Sequence, residues 1–229
     1  MQKKTKIAIV VLLLLVIGGF ALYEFTNQIE ITYKSCDEND LGSVEKIIYG
    51  NESSNHTIAL ITGIHPRETL SIEPEIKAAK EFVKRNDDVK IIHYQVNVTK
   101  DPEDYQNGRA NGESLVHDYV NPDVTASDAD CVIISHSHIP EYGEGYYLAT
   151  PEMDNASVKI AKTINKTGEF GYYPVTGNET YKSTSAVLVS KPIAQAGYPT
   201  FVYEIPEDIT DFEATFKTMK LFELMVKYS

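Results

Sequence analysis

The chain has 229 residues but no tryptophan, only two cysteines, and fewer basic than acidic residues, 21 Lys and Arg against 33 Asp and Glu. A formal net charge of −12 argues against nucleic acid or an anionic membrane surface as a partner, because both would repel it. Two cysteines, Cys36 and Cys131, exclude a disulfide-dense scaffold and permit at most one bridge. Cys131 opens an apolar run, so a buried free thiol and a bridge both stay open. Neither an internal repeat nor a low-complexity segment is present, which removes the basis for a solenoid or a linker array.

Charge is also missing locally. Residues 7–22 carry none, Lys3, Lys4 and Lys6 precede them, and no basic residue follows until Lys34. A bilayer span needs about 20 apolar residues, so this run is short, but Tyr23 extends it into the interface. Positive charge before the run and none after it places the N-terminus in the cytoplasm. A small-x-small cleavage site does not follow, which favours an uncleaved anchor over a signal peptide. The expected organisation is a cytoplasmic stretch at 1–6, a transmembrane signal anchor at 7–23 and an extracellular domain at 24–229. The last is roughly 200 residues, enough for one core. Sequons begin at Asn51, Asn55, Asn97, Asn155, Asn165 and Asn178, an excess for this composition, in keeping with an exported glycoprotein.

Short strand patterns fall at Ile29–Tyr33, Val44–Tyr49, Thr57–Thr62, Val89–Val96, Cys131–Ser135 and Thr200–Ile205. Helical periodicity marks Leu70–Lys84, Glu113–Tyr119, Ala156–Ile164, Ala186–Ala196 and Phe212–Tyr228. Residues 97–112, rich in Asn, Asp, Gly and Pro, read as a long loop. Apolar strands alternating with helices predict an α/β domain, with a mixed, largely parallel sheet and helices on both faces. Ligands of such sheets lie beyond the carboxyl ends of the strands.

Three strands end in chemistry-bearing residues. Gly63-Ile64-His65-Pro66-Arg67-Glu68 follows the first, with an imidazole and a carboxylate three apart. His136-Ser137-His138 ends the second, and Glu204 the third. Catalytic zinc takes three protein ligands and leaves one position open. His65, Glu68 and one of His136 or His138 make such a set, with His136 preferred for its apolar lead-in and the Ser after it. A carboxylate beside the metal can take and return a proton, and Glu204 suits this better than Glu207, which follows Pro206. Arg109 is the best-placed cation for a developing oxyanion or a substrate carboxylate. Arg67 suits either substrate binding or a structural ion pair. His56, His93 and His117 have no comparable context and are expected at the surface or in loops.

Gly63–Glu68 resembles the Gly-Ile-His-x-Arg-Glu segment of the zinc carboxypeptidases, a family that also includes succinylglutamate desuccinylase and aspartoacylase relatives. Ile134-Ser135-His136-Ser137 is similar to that family's second ligand strand, and Phe201-Val202-Tyr203-Glu204 to the strand ending in its catalytic glutamate. The resemblance spans residues 57–205 and implies a Zn²⁺ site of His65, Glu68 and His136, with Glu204 and Arg109 catalytic. It also implies that Tyr181 and Arg109 bind a peptide substrate, which the expected location makes a cell-envelope peptide. Only Arg109 stands where the family usually supplies several arginines. A non-catalytic surface binding or adhesion module therefore remains an alternative. An N-acyl amino acid deacylase ranks lower, since Pro66-Arg67-Glu68 replaces the Gly-Asn-Glu of that branch.

Overall fold

The computed structural model describes residues 9–19, 29–173 and 183–229. Residues 9–19 are helical and exposed, and among the described residues no helix is long and apolar enough to cross a membrane. The remainder of the expected anchor, together with Tyr181 and Asn178, lies outside the described residues.

The domain begins with an antiparallel pair, β1 (Ile31–Asn39) and β2 (Gly42–Tyr49). Then come β3 (His56–Thr62), helix α1 (Glu73–Val83) and β4 (Val89–Val98). The next helix, α2 (Tyr105–Leu115), runs through a π-helical turn (Val116–Val120) into α3 (Asn121–Val124). Strands β5 (Cys131–His138) and β6 (Tyr147–Ala149), helix α4 (Asn155–Asn165) and strand β7 (Gly171–Tyr173) follow. A second π-helical turn (Ala186–Ser190) leads into α5 (Lys191–Gln195), and the chain closes with β8 (Thr200–Pro206) and α6 (Asp211–Tyr228).

The eight strands form one sheet in the order β1-β2-β4-β3-β5-β8-β6-β7. Its centre is parallel, β3 pairing with β4 and β5, and β5 with β8, while β2 and β6 join antiparallel. Parallel neighbours need crossovers, and the helices supply them. Both faces of the central strands are thereby covered, so those strands must be apolar throughout. One core joins Leu60, Ile133 and Phe201 to α1, α4 and α6, with Phe82 and Phe222 meeting edge to face. The other joins Ile61, Ile134 and Val96 to Leu115, Val120, Val189 and Ile193. The mixed sheet with helices on both faces is the expected one.

Two expectations need correction, two strands are added, and the open question of the cysteines is closed. Residues 97–112 are not a long loop: helix α2 starts at Tyr105, where Asp104 accepts hydrogen bonds from the backbone N–H groups of Gln106 and Asn107. The helix at 113–119 is its continuation. His93 is fully buried on β4, its Nε2 2.8 Å from Thr62 Oγ1, because a satisfied imidazole can sit inside a core. The short strands β6 and β7 extend the sheet past β8, each too brief to leave a periodic pattern. The two cysteines are both free, Cys36 exposed and Cys131 buried. All five sequon asparagines among the described residues are exposed.

One buried charge-bearing group lies behind the sheet. Glu75 of α1 accepts a hydrogen bond of 2.7 Å from Thr218 of α6, and its second oxygen has no partner among the described residues. Burial pushes its carboxyl up to about 8, against the pull of the Thr218 hydrogen bond and the neighbouring Ser135 hydroxyl. The folded value exceeds the ordinary 4.5, so the contribution to stability is complete below 4.5 and is lost as pH rises from there through about 8. Denaturant titrations of the wild type and Glu75→Gln across this window are expected to diverge. The wild type should lose stability relative to the variant as pH rises, and a pH-independent difference would contradict the buried neutral acid.

Candidate active site

The site forms where the central parallel strands end. β3 stops at Thr62, and Gly63 turns the chain with φ of +77°. A Cβ there would stand 2.1 Å from Val96 O, so both the backbone conformation and the space demand glycine. Ile64 enters the core, and a tight turn closed by Glu68 N–H donating to His65 O (3.0 Å) presents His65 and Glu68 together.

Neighbouring elements supply the other groups. β5 carries His136 into the same space, and its ring lies 4.4 Å from that of His65. β8 is in parallel register with β5 and sets Glu204 beside His136. Helix α2 brings Arg109 and Glu113, four residues apart and hence on one face. The close approach of that helix depends on Gly112, where a Cβ would fall 1.7 Å from Ile64 O.

The polar contacts converge on Glu68. Its Oε1 lies 2.8 Å from His65 Nδ1 and accepts a 2.7 Å hydrogen bond from Arg109 Nη1. Its Oε2 lies 2.9 Å from His136 Nδ1 and accepts from Ser137 N–H at 3.3 Å. Burial opposes ionisation of Glu68, but the neighbouring charges and donors, His136 foremost and then His65, outweigh it and hold the carboxyl far below its ordinary value. On its other edge, His65 Nε2 lies 3.3 Å from Glu113 Oε1. Burial lowers the affinity of His65 for a proton, but hydrogen bonds to Glu113 and Glu68 overcome this and raise its pKa. Glu113 is lowered, its own burial being outweighed by His65. Glu204 goes the other way: burial pushes it up to about 7, Glu68 adds to this, and His136 and Arg109 pull against it.

Each sequence-derived residue can now be located. His65, Glu68 and His136 come together, with one ligand atom from each within 4.8 Å of the others, and both histidines are buried. Two imidazole nitrogens and a carboxylate oxygen form a donor set suited to a divalent ion. With the Nδ1 atoms of both histidines turned to the shared centre, the Nε2 of His65 is left for Glu113. A carboxylate on the outer nitrogen is the arrangement that orients a metal-bound imidazole. The residues present therefore fit a metal.

His138 does not join this cluster. Its Nδ1 lies 3.0 Å from Ile139 O and its Nε2 2.9 Å from Gly145 O, so it braces the loop after β5. Arg67 and Arg109 both stand over the Tyr105 ring, at 5.8 and 5.3 Å from its centroid. All of these groups except the buried Glu113 line one cavity of about 630 Å³, together with Ser137, Tyr142, Ala149, Ser190, Val202 and Glu207. Glu113 is the residue that sequence reasoning missed. Reading Asp104 as a helix cap would have placed Glu113 one turn beyond Arg109 on the same face.

Two variants test this construction. Glu113→Gln removes the charge behind His65 and is expected to weaken divalent metal binding about 10- to 100-fold, measured by chelator competition. Gly112→Ala forces α2 off the ligand turn and is expected to cost about 3 kcal/mol of stability in denaturant titration. Wild-type behaviour in either measurement would contradict the packing described.

Comparison with families and curated proteins returns no match. Among solved structures, a metallo-carboxypeptidase from Burkholderia cenocepacia superposes with a TM-score of 0.60 at 13% identity, over 91% of this chain and 68% of that one. A carboxypeptidase-type protein from Burkholderia mallei gives 0.60 at 15% identity, over 88% of this chain and 63% of that one. A carboxypeptidase A-type protein from Shewanella denitrificans gives 0.58 at 12%, over 90% and 66% respectively. The chain thus spans about two thirds of the length of these neighbours and has the metallocarboxypeptidase-like fold. At such identities, the likeness is one of architecture.

Proposed function

We propose that this protein is a membrane-anchored, extracellular zinc-dependent hydrolase that cleaves a peptide or related amide bond. The observation that carries the reading is the convergence of His65, Glu68 and His136 next to a carboxylate, Glu204, whose affinity for a proton is raised to about 7. Hydrolysis of an amide requires a group that takes a proton from water and gives one to the leaving amine. A group that titrates near neutrality does both with the least loss of driving force. The solved neighbours described as carboxypeptidases share the architecture, which favours a peptide as substrate.

His65, Glu68 and His136 would hold the ion, and a bound zinc ion supplies polarisation of the carbonyl and acidification of water. Glu204 accepts the proton from the attacking water on its carboxylate, holds it in the poorly solvated space beside His136, and returns it to the amide nitrogen. Arg109, four residues before Glu113 on α2, directs its guanidinium to the same centre, where it can donate to an oxyanion or to a substrate carboxylate. Arg67, on the same aromatic ring, adds positive charge at this rim of the cavity. Tyr181 is the further residue we assign to substrate binding.

The location rests on sequence. The uncharged run after Lys3, Lys4 and Lys6 is read as the anchor, and the exposed sequon asparagines suit an exported, glycosylated domain. On that reading a cell-envelope peptide is the accessible substrate.

Glu204→Gln is the direct test. Peptide hydrolysis by the zinc-loaded protein is expected to fall by at least about 100-fold, while metal content stays at the wild-type level. Full activity of the variant would refute the mechanism. Stoichiometric metal with no hydrolysis of any peptide or acyl amino acid by the wild type would instead support a binding module.

A further inference from the structure

We propose that Glu207 is a specificity-determining residue that receives a cationic group of the substrate, an ammonium or guanidinium carried close to the bond on which Glu204 acts. The inference rests on the peptide-hydrolase reading and names a substrate class for it.

Glu207 lies three residues beyond Glu204, where β8 has ended, and it lines the same cavity. Two contacts tie it to the strand that carries a metal ligand. Its backbone N–H donates to His138 O at 2.9 Å, and Ser137 Oγ–H donates to its Oε1 at 3.0 Å. Ser137 directly follows His136, so the carboxylate is anchored to the residue next to the metal cluster. This hydrogen bond uses one oxygen. Among the described residues Oε2 has no side-chain hydrogen bond, and no cation pairs with the group.

The other carboxylates of the cavity already have work. Glu68 is engaged by His65, His136, Arg109 and the Ser137 N–H. Asp104 caps α2. Glu204 is assigned to proton transfer. The two guanidiniums of the cavity, Arg67 and Arg109, gather over Tyr105, and neither forms an ion pair with Glu207. One oriented carboxylate therefore lines the cavity without an ion-pair partner among the described residues. Glu207 is exposed, so water screens it, and an ion pair with a substrate cation contributes about two- to fivefold in selectivity. An anion placed there would be repelled.

The test compares matched synthetic peptides that differ at one residue, either lysine, norleucine or glutamate, placed in turn on each side of the scissile bond. The zinc-loaded full-length protein is used with Glu207→Gln and Glu207→Lys, and the readout is the ratio of kcat/KM between peptides. For the wild type, lysine is expected to exceed norleucine by about two- to fivefold at one position. Glu207→Gln should bring that ratio near one, and Glu207→Lys should make glutamate the preferred residue. Equal ratios in the wild type, or a lysine preference that survives Glu207→Gln, would overturn the assignment. Calorimetric binding of the same peptides to Glu204→Gln separates this question from the hydrolase reading. If no peptide is cleaved but lysine binds better in a Glu207-dependent way, the charge site stands and the hydrolase reading fails. If binding shows no lysine preference, the charge site fails.

Discussion

The carboxylate of Glu68 gathers donors from three separate pieces of the chain: the turn after β3, the end of β5 and the face of α2. An ionised carboxylate in a poorly solvated space is costly unless its lone pairs are met. Here they are met by two imidazoles, a guanidinium and a backbone N–H. The same arrangement that satisfies this charge presents one carboxylate oxygen and two ring nitrogens to a common centre. Electrostatic satisfaction of Glu68 and the capacity to hold a divalent ion are thus one geometric fact. Glu113 holds the outer nitrogen of His65, and Glu204 is the carboxylate we propose for proton transfer. Their opposite pKa shifts follow from what faces each of them.

That convergence depends on close packing more than on any single polar contact. Gly63 allows the chain to leave β3 against β4, and Gly112 allows α2 to rest on the backbone of Ile64. Gly108, one turn earlier on the same helix face, sits close to the Pro102 carbonyl, 2.9 Å from where a Cβ would stand, and near Pro66. A helix with small residues on its site-facing side and Leu115, Val116 and Val120 further on can lie flat on the ligand turn while its far end anchors in the core. Arg109 and Glu113 reach the centre because this face has almost no side-chain bulk between them.

Those glycines also explain where sequence reasoning stopped. Asn107-Gly108 and Asn111-Gly112 look like turn signals, and taken alone they argue against a helix. In the folded chain the lost helix propensity is offset by the contact that glycine permits. Reading 97–112 as a loop therefore hid Glu113 behind an element boundary. His93 was misjudged for a related reason: a histidine's burial depends on partners across the sheet, Thr62 and Tyr49, which no local pattern reveals. His138 has the alternation of a ligand partner to His136, but carbonyls of its own loop occupy its ring nitrogens.

Local physics was enough for the alternation of strands and helices, the apolar runs of β3, β5 and β8, and the placement of His65, His136 and Glu204 at strand ends. Hydrophobic periodicity and strand length are properties of short windows, and a parallel sheet converts strand ends into a shared edge. Tertiary structure alone decided which side chains meet at that edge. It recruited Glu113, turned Arg109 onto Glu68, tied the ring of His138 to its own loop and brought Glu207 to the cavity wall. These outcomes depend on inter-strand register and on how closely a helix can approach a turn, and both are set by contacts between residues far apart in the chain.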